Sequence, residues 1–370
     1  MNLLQILHQQ LAEQNALSFA DFMHQALYTP DLGYYSSGLP KIGRQGDFIT
    51  APELTPLFGY TLANQCQQIL SVVSAPHILE FGAGTGALCI SLLTQLERLH
   101  CLPDCYYILE VSAHLQEQQK ERIQAQIPHL ADRVQWLHAW PQTAFNGVIL
   151  ANEVLDAMPV HRFKLDDNAV LESFIQLNEQ GQLQEHFLPC HNPRLLSYIQ
   201  NCIPAVPKPY SSEVNLFVED WIAQLYQILN QGLVLLIDYG FPRHEYYHPD
   251  RQEGTLMCHY QHHCHPDPLI HVGEQDITAH VDFTQVAEAG HQAGFHIAGY
   301  TNQASFLLAN GLLHLLHDME NERDVFRAKQ AIKQLIQPSE MGELFKVIAL
   351  TKAIEHPLNG FLLNDKRVSL

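Results

Sequence analysis

From residue 77 onward, short apolar runs alternate with amphipathic stretches. HILEF (77–81) reads as a strand and 86–99 as a helix; CYYILE (105–110) reads as a strand and 113–126 as a helix. RVQWLH (133–138) and GVILAN (147–152) add two strands. GLVLLIDY (232–239), an almost unbroken apolar run, follows an amphipathic helix placed at 213–229. FHIAGY (295–300) and LFKVIAL (344–350) supply the last two, with helices between them. Apolar strands separated by helices predict βαβ units and a mostly parallel sheet covered on both faces.

Other stretches break this rhythm. Residues 3–28 read as two helices, the second opened by Ser18 with Asp21 three positions on, a capping-box arrangement. A Gly-, Pro- and Ser-rich stretch follows, then a helical pattern through Phe58, Leu62 and Ile69. HRFKLDDNAVLESFIQL (161–177) has the alternation of a hairpin, with a helix after it, and 240–280 is a long loop rich in Pro and His. The organisation expected is an N-terminal helical and lid region over 1–70. A Rossmann-like domain over 71–370 follows, interrupted at about 160–212 and 241–280. The fold class expected is α/β: a mostly parallel seven-stranded sheet with an N-terminal helical lid and an inserted substrate lobe.

Composition narrows the function. The chain has 370 residues and a net charge of −19, which disfavours a nucleic-acid partner because phosphate binding needs a Lys/Arg surplus. The eight cysteines include no CxxC pair, so reduced thiols are expected. No apolar run reaches the ~18 residues of a membrane span. No Lys or Arg precedes Lys41, unlike a transit peptide or a secretory signal. The localisation expected is the cytoplasm of a bacterium.

The stretch ILEFGAGTGAL (78–88) carries the first chemistry. Its spacing is G-x-G-x-G. A dinucleotide fingerprint is G-x-G-x-x-G with an acid about 20 residues on, and a phosphate loop needs G-x-x-x-x-G-K-[ST]. Glycines at 82, 84 and 86 let backbone approach a ligand closely. Glu80 would repel a pyrophosphate but suits an amino group or a sulfonium. S-adenosyl-L-methionine carries both and no phosphate. Glu110, at the end of the next strand, can accept from both ribose hydroxyls, since strand C-termini face the ligand crevice in such sheets. The fourth strand ends in Asn152 and Glu153, placed near the reacting methyl, and Asp156 shares a face with Glu153 if the segment turns helical. On that geometry Asn152 could also be a helix cap, with the two acids favouring the dipole. Together these features predict a Rossmann-like methyltransferase.

GYY (33–35), GDFITAPE (46–53), EFGAGTG (80–86), LEVS (109–112), ANEVLDAMPVHRF (151–163), DYG (238–240), GTL (254–256) and DITAHVDF (276–283) together resemble the MidA-like family. That family includes the mitochondrial complex I assembly methyltransferases. The resemblance implies a class I methyltransferase fold with an added lobe. It also implies arginine methylation on a protein partner; the mitochondrial branch is understood to dimethylate an arginine symmetrically on a complex I subunit, and mono- or dimethylation is left open for this chain. Position by position, Glu80, Gly82, Ala83, Gly84 and Gly86 would line the methionine end. Glu110, with Val111 beside it, would hold the ribose, and Asn152 and Glu153 would face the methyl. Thr50, Pro52 and Glu53 would close a lid shaped by Gly46, Asp47 and Phe48. Val154 and Leu155 follow the ANE triplet, where the family often has an aromatic residue.

The function expected is protein-arginine N-methylation with Glu153 and Asp156 as catalytic acids. The alternatives are a cofactor-binding assembly factor without essential catalysis and a small-molecule methyltransferase. The partner expected is an Arg-bearing protein, with a respiratory-complex subunit as candidate; membrane insertion is not expected, and a homodimer is left open. The cluster MCHYQHHCHPDPLIH (257–271) offers zinc ligands but no standard zinc spacing, so no metal is expected. His161-Arg162 reads as a strand start, Trp136 and Trp140 as core rather than adenine contacts, and FLLANGLLHLLHDM (306–319) as one core helix.

Overall fold

The computed structural model describes residues 2–37, 50–317 and 321–370. Its centre is a sheet of seven strands: β1 (Pro76–Phe81), β2 (Cys105–Leu109), β3 (Val134–Leu137), β4 (Phe145–Asn152), β5 (Leu229–Phe241), β6 (His296–Asn302) and β7 (Phe345–Lys352). Their spatial order is 3-2-1-4-5-7-6. β7 runs antiparallel to β5 and β6, and the pairs from β3 to β5 are all parallel. A two-residue strand, Val281–Asp282, extends the far end of β5.

The apolar runs fix this arrangement because both faces are buried. Val148, Ile149, Leu150 and Ala151 of β4, and Leu233 through Leu236 of β5, are almost inaccessible. Helices Pro56–Leu70 and Ala87–Arg98 cover one face, feeding Leu62, Cys66, Leu92 and Leu96 into a shared core. Helices Val218–Ile228 and Phe283–Ala293 cover the other with Ile222, Leu225, Phe283 and Val286. Each such side chain contributes about 1.5–3 kcal/mol by leaving water.

Strands His161–Leu165, Val170–Leu177, Leu183–Pro189 and Tyr210–Val214 form an antiparallel sheet that Leu17–Ser18 joins at its edge. The N-terminal helices Leu3–Gln14 and Phe19–Tyr28 pack with that lobe through Leu7, Phe22 and Ile175. Ser18 does cap the second helix, accepting from the Asp21 N–H at 3.1 Å.

Several expectations fail locally. The helix placed at 213–229 is a strand over Tyr210–Val214 and a helix only from Val218, because Glu213 is held by the Thr255 N–H and hydroxyl while the Asn215 side chain accepts from Phe217 and Val218. The 240–280 loop contains a three-stranded sheet, Met257–Tyr260, His263–His265 and Asp276–Thr278. DITAHVDF (276–283) spans the strands Asp276–Thr278 and Val281–Asp282, and a helix begins at Phe283, capped by Asp282. The Leu-rich run breaks into Gln303–Ala309 and Leu312–His317 because Gly311 adopts φ +85°, a left-handed conformation that ends helices.

Candidate active site

β1, β2, β4 and β5 all end at one edge of the sheet, where the chain encloses a cavity of about 630 Å³. Thr50, Pro52, Glu53, Glu80, Gly82, Ala83, Gly84, Glu110, Val111, Asn152, Glu153 and Asp156 all line it. Gly86 does not; it is the N-cap of helix Ala87–Arg98, at φ +80°. Gly46, Asp47 and Phe48 lie outside the described residues.

The glycine loop is left-handed at Gly82 (φ +61°) and Gly84 (φ +53°), which glycine adopts without the Cβ penalty. The Gly82 N–H donates to the Leu109 carbonyl at 3.1 Å, tying the loop to the end of β2. Glu80 is buried beneath the loop and accepts from the Tyr106 hydroxyl at 2.7 Å. Burial pushes its carboxyl up to about 7, against the pull of that bond. Glu110 accepts from the Ser112 N–H at 3.0 Å and from Gln119 Nε2 at 3.3 Å.

The segment after β4 does not turn helical, so Asn152 is not a helix cap. Glu153 sits at φ +55°, a strained conformation for a non-glycine residue and the kind of outlier that concentrates at functional sites. Its N–H donates to the Ile237 carbonyl at 2.9 Å, and its Oε1 accepts from Asn152 Nδ2 at 3.0 Å. The turn that follows wraps the Asp238 carboxylate, and this delivers Asp156 to the cavity. Asp156 is 5% exposed. Its Oδ2 accepts from the Tyr239 hydroxyl, while Oδ1 makes no hydrogen bond, although the N–H groups of Asp156 and Ala157 lie close enough to favour the charged form. Burial pushes Asp156 up to about 6; burial and the Asp156 charge push Glu153 up to about 8. Two carboxyls with such shifts on one cavity wall mark a candidate functional site.

Glu53 does not reach into the cavity as a free acid. Its Oε1 pairs with Arg122 Nη1 at 2.7 Å and with the Thr85 hydroxyl, which also bonds Arg122. One guanidinium thus joins the N-terminal segment, the glycine loop and helix Ala113–Gln126.

Tyr28, Tyr35, Asp276 and His280 also line the cavity; no role is assigned to them from sequence, although Tyr35 lies in GYY and Asp276 and His280 in DITAHVDF. The Tyr28 hydroxyl donates to the Ala157 carbonyl at 2.9 Å, and the Tyr35 hydroxyl to both Asp276 oxygens at 2.9 and 3.0 Å. These contacts span 129 and 241 positions, so no local pattern could pair them. His280 is also there, its ring edge-on to Tyr239, held neutral by burial and by the nearby Arg251 and Lys346 charges. Trp136 and Trp140 do not line the cavity: Trp136 donates to Gln119 and Trp140 packs on Phe81. In the His-rich segment, His259 Nδ1 and Cys264 Sγ meet at 3.2 Å and His271 stacks on Tyr260. Among the described residues, no three His, Cys, Asp or Glu side chains are grouped so as to hold a metal.

Among the described residues no Lys or Arg lines the cavity, and these offer a pyrophosphate no counter-charge. Left-handed glycines, two buried acids and the buried, unpartnered Asn152 Oδ1 fit a ligand with amino and diol donors instead. The model of a family of S-adenosyl-L-methionine-dependent methyltransferases matches residues 61–301. The chain belongs to that family. A crystal structure of a superfamily member from Burkholderia thailandensis, bound to S-adenosyl-homocysteine, is similar to this methyltransferase across 100% of this chain and 96% of that one. The two share 39% identity and a TM-score of 0.95. The mitochondrial protein arginine methyltransferase NDUFAF7 of Homo sapiens is 27% identical over 90% of this chain and 80% of its own length. Its Drosophila melanogaster homolog is 26% identical over 92% and 84%. The methyltransferase thus has the class I fold, and its methyl donor is S-adenosyl-L-methionine.

Proposed function

We propose that this methyltransferase acts on the guanidinium of an arginine in a partner protein. The observation that carries the reading is Asp156: a buried carboxylate beside Glu153, with one oxygen lacking a hydrogen-bond partner, on the wall of the donor cavity. The donor supplies an activated methyl group. A guanidinium stays protonated at neutral pH and pairs well with carboxylates through its planar fork. Asp156, and Glu153 once the bound guanidinium favours its ionised form, would hold that fork and offset its repulsion from the cationic donor. Fixed negative charge of this kind needs no reorganisation during transfer. Asp156 Oδ1 is the atom suited to take the proton that the alkylated nitrogen must lose. The arginine methyltransferase names of the mitochondrial relatives support the same reading. A respiratory-complex subunit is the first partner to try.

The test is transfer of a labelled methyl group from S-adenosyl-L-methionine to host lysate, followed by location of the labelled residue. Label on arginine is expected. Glu153→Gln and Asp156→Asn should each cut single-turnover transfer by about two orders of magnitude, as loss of a positioned electrostatic group does. Cofactor affinity should survive in Asp156→Asn and fall only modestly in Glu153→Gln. Label confined to another residue type would overturn the reading.

A further inference from the structure

Three tyrosine hydroxyls face the cavity with their protons already committed. Tyr28 donates to the Ala157 carbonyl, Tyr35 to the Asp276 carboxylate and Tyr239 to Asp156 Oδ2. A carbonyl oxygen or an ionised carboxylate can only accept, so the direction of each bond is fixed. A hydroxyl has one proton; once it is committed, the oxygen has only lone pairs left to offer. The Tyr28 and Tyr35 rings stack at 5.6 Å and 22°, and Tyr34 braces Tyr35 edge-on at 5.1 Å. Asp276 is 3% exposed, so its hold on Tyr35 is shielded from water. Burial and the nearby carboxylates push both hydroxyls far above their usual range, so they stay protonated and keep these bonds.

A surface built from acceptors selects for a ligand built from donors. A guanidinium has five N–H donors and no acceptor. Citrulline has nearly the same shape, but a carbonyl oxygen replaces one NH2 group, so two of the five N–H donors and the charge are gone. Against committed hydroxyls that oxygen would face lone pairs, a mismatch that leaves buried polar groups unpaired. We propose that Tyr28 and Tyr35, with Asp276 holding the Tyr35 proton away from the ligand, form an acceptor wall that selects guanidinium over isosteric groups that carry an acceptor. This rests on the arginine reading above. Tyr28 and Tyr35 are specificity determinants; Asp276 is a positioning residue.

The test compares an arginine peptide with its citrulline twin. Both dissociation constants are measured with S-adenosylhomocysteine bound, in wild type, Asp276→Asn, Tyr35→Phe and Tyr28→Phe. In Asp276→Asn the new amide can donate to the Tyr35 oxygen and let the hydroxyl proton turn toward the ligand. The arginine-to-citrulline affinity ratio should then fall about tenfold or more, the scale of one hydrogen bond to a charged group. Each Phe variant should weaken arginine binding about tenfold and citrulline binding much less. Affinity for S-adenosylhomocysteine, which reports folding, should not change. Equal weakening of both peptides would mean that these residues only support the structure, and an unchanged ratio in every variant would likewise overturn the inference. If wild type favours arginine and the variants keep that preference, this inference alone fails. A wild type that shows no arginine preference removes the functional reading along with it.

Discussion

Asp238 holds Asp156 in place through a single oxygen. Asp238 Oδ2 accepts the Asp156 N–H at 3.2 Å, and also those of Val154 at 3.1 Å and Leu155 at 2.9 Å. Asp238 is fully buried at the end of β5, and the three N–H groups belong to the turn leaving β4. Successive N–H groups around one anion form a nest, which fixes the backbone of this turn. Burial and the Asp156 and Glu153 charges push the Asp238 carboxyl up, while the N–H bonds pull it back.

Asp238→Ala should therefore leave three buried donors without a partner. The expected loss is about 3 kcal/mol of stability, since orphaned buried polar groups cost roughly 1–3 kcal/mol each and share relaxation. Methyl transfer should drop at least tenfold even where the variant remains folded, because Asp156 loses its support. Denaturation midpoints and single-turnover transfer read the two effects separately. Wild-type transfer in Asp238→Ala would show that the nest does not position the site.

Gly84 gives a test of the cofactor geometry. At φ +53° a β-branched side chain is strongly disfavoured, and its Cβ would sit on a residue that lines the cavity. S-adenosylhomocysteine at a hundred times its dissociation constant should stabilise wild type by about 2.7 kcal/mol. Gly84→Val should abolish that shift in a thermal melt, and NAD should produce none with either protein. A shift retained in Gly84→Val would place the ligand elsewhere.

The sheet was legible because fully buried parallel strands show as continuous apolar runs, and Leu233–Leu236 or Val148–Ala151 admit little else. Glu80, Glu110, Asn152 and Glu153 were legible because strand ends in such sheets converge on one crevice. What failed was decided by partners far away in sequence. The expected helix starts at 213, inside the Tyr210–Val214 strand, where Glu213 is held by the distant Thr255. Whether the segment after Asn152 turns helical is open in the sequence, because its acceptor, Asp238, lies more than 80 positions away. Tyr35 and Asp276 stand in the GYY and DITAHVDF motifs, but their pairing across 241 positions leaves no local pattern, and Tyr28 carries no signal of its own.

Arg122 should matter for holding the cofactor rather than for chemistry. It reaches both Glu53 and Thr85, so it clamps the N-terminal segment onto the glycine loop. The pair with Glu53 is partly exposed, at 33% and 17% of side-chain surface, so salt will screen it and its contribution is about 1 kcal/mol. Arg122→Gln should raise the dissociation constant for S-adenosylhomocysteine roughly fivefold at low salt, and less at 0.5 M or so. Maximal transfer at saturating donor should stay near wild type. A large fall in maximal rate with unchanged affinity would contradict the clamp.

Glu153 should make stability and ligand binding respond to pH in opposite ways. Its carboxyl is pushed from 4.5 to about 8, first by burial and then by the Asp156 charge, with the Asn152 amide and the Ala51 N–H pulling the other way. Between those values the folded protein keeps a proton that the unfolded chain has released. Stability therefore falls as pH rises through that window and levels off above it. Asp156, raised from 3.8 to about 6, adds a like contribution at lower pH. Glu153 keeps part of its surface open to the cavity, and water there moderates the effect, so a loss of about 1–2 kcal/mol between pH 6 and roughly 9 is expected. Glu153→Gln removes that share, so its melting temperature should fall less with pH and exceed that of wild type at the alkaline end. A guanidinium reverses the preference, because it favours the ionised carboxylate. Arginine-peptide affinity should rise with pH up to about 8 in wild type, by at most about tenfold per unit, and should be nearly flat in Glu153→Gln. Calorimetric melts and peptide titrations at pH 6, 7, 8 and 9 or thereabouts give both curves on the same samples. Parallel melting curves for the two proteins would mean that Glu153 titrates in its ordinary range, and the case for it as the acid that meets the substrate would go with it.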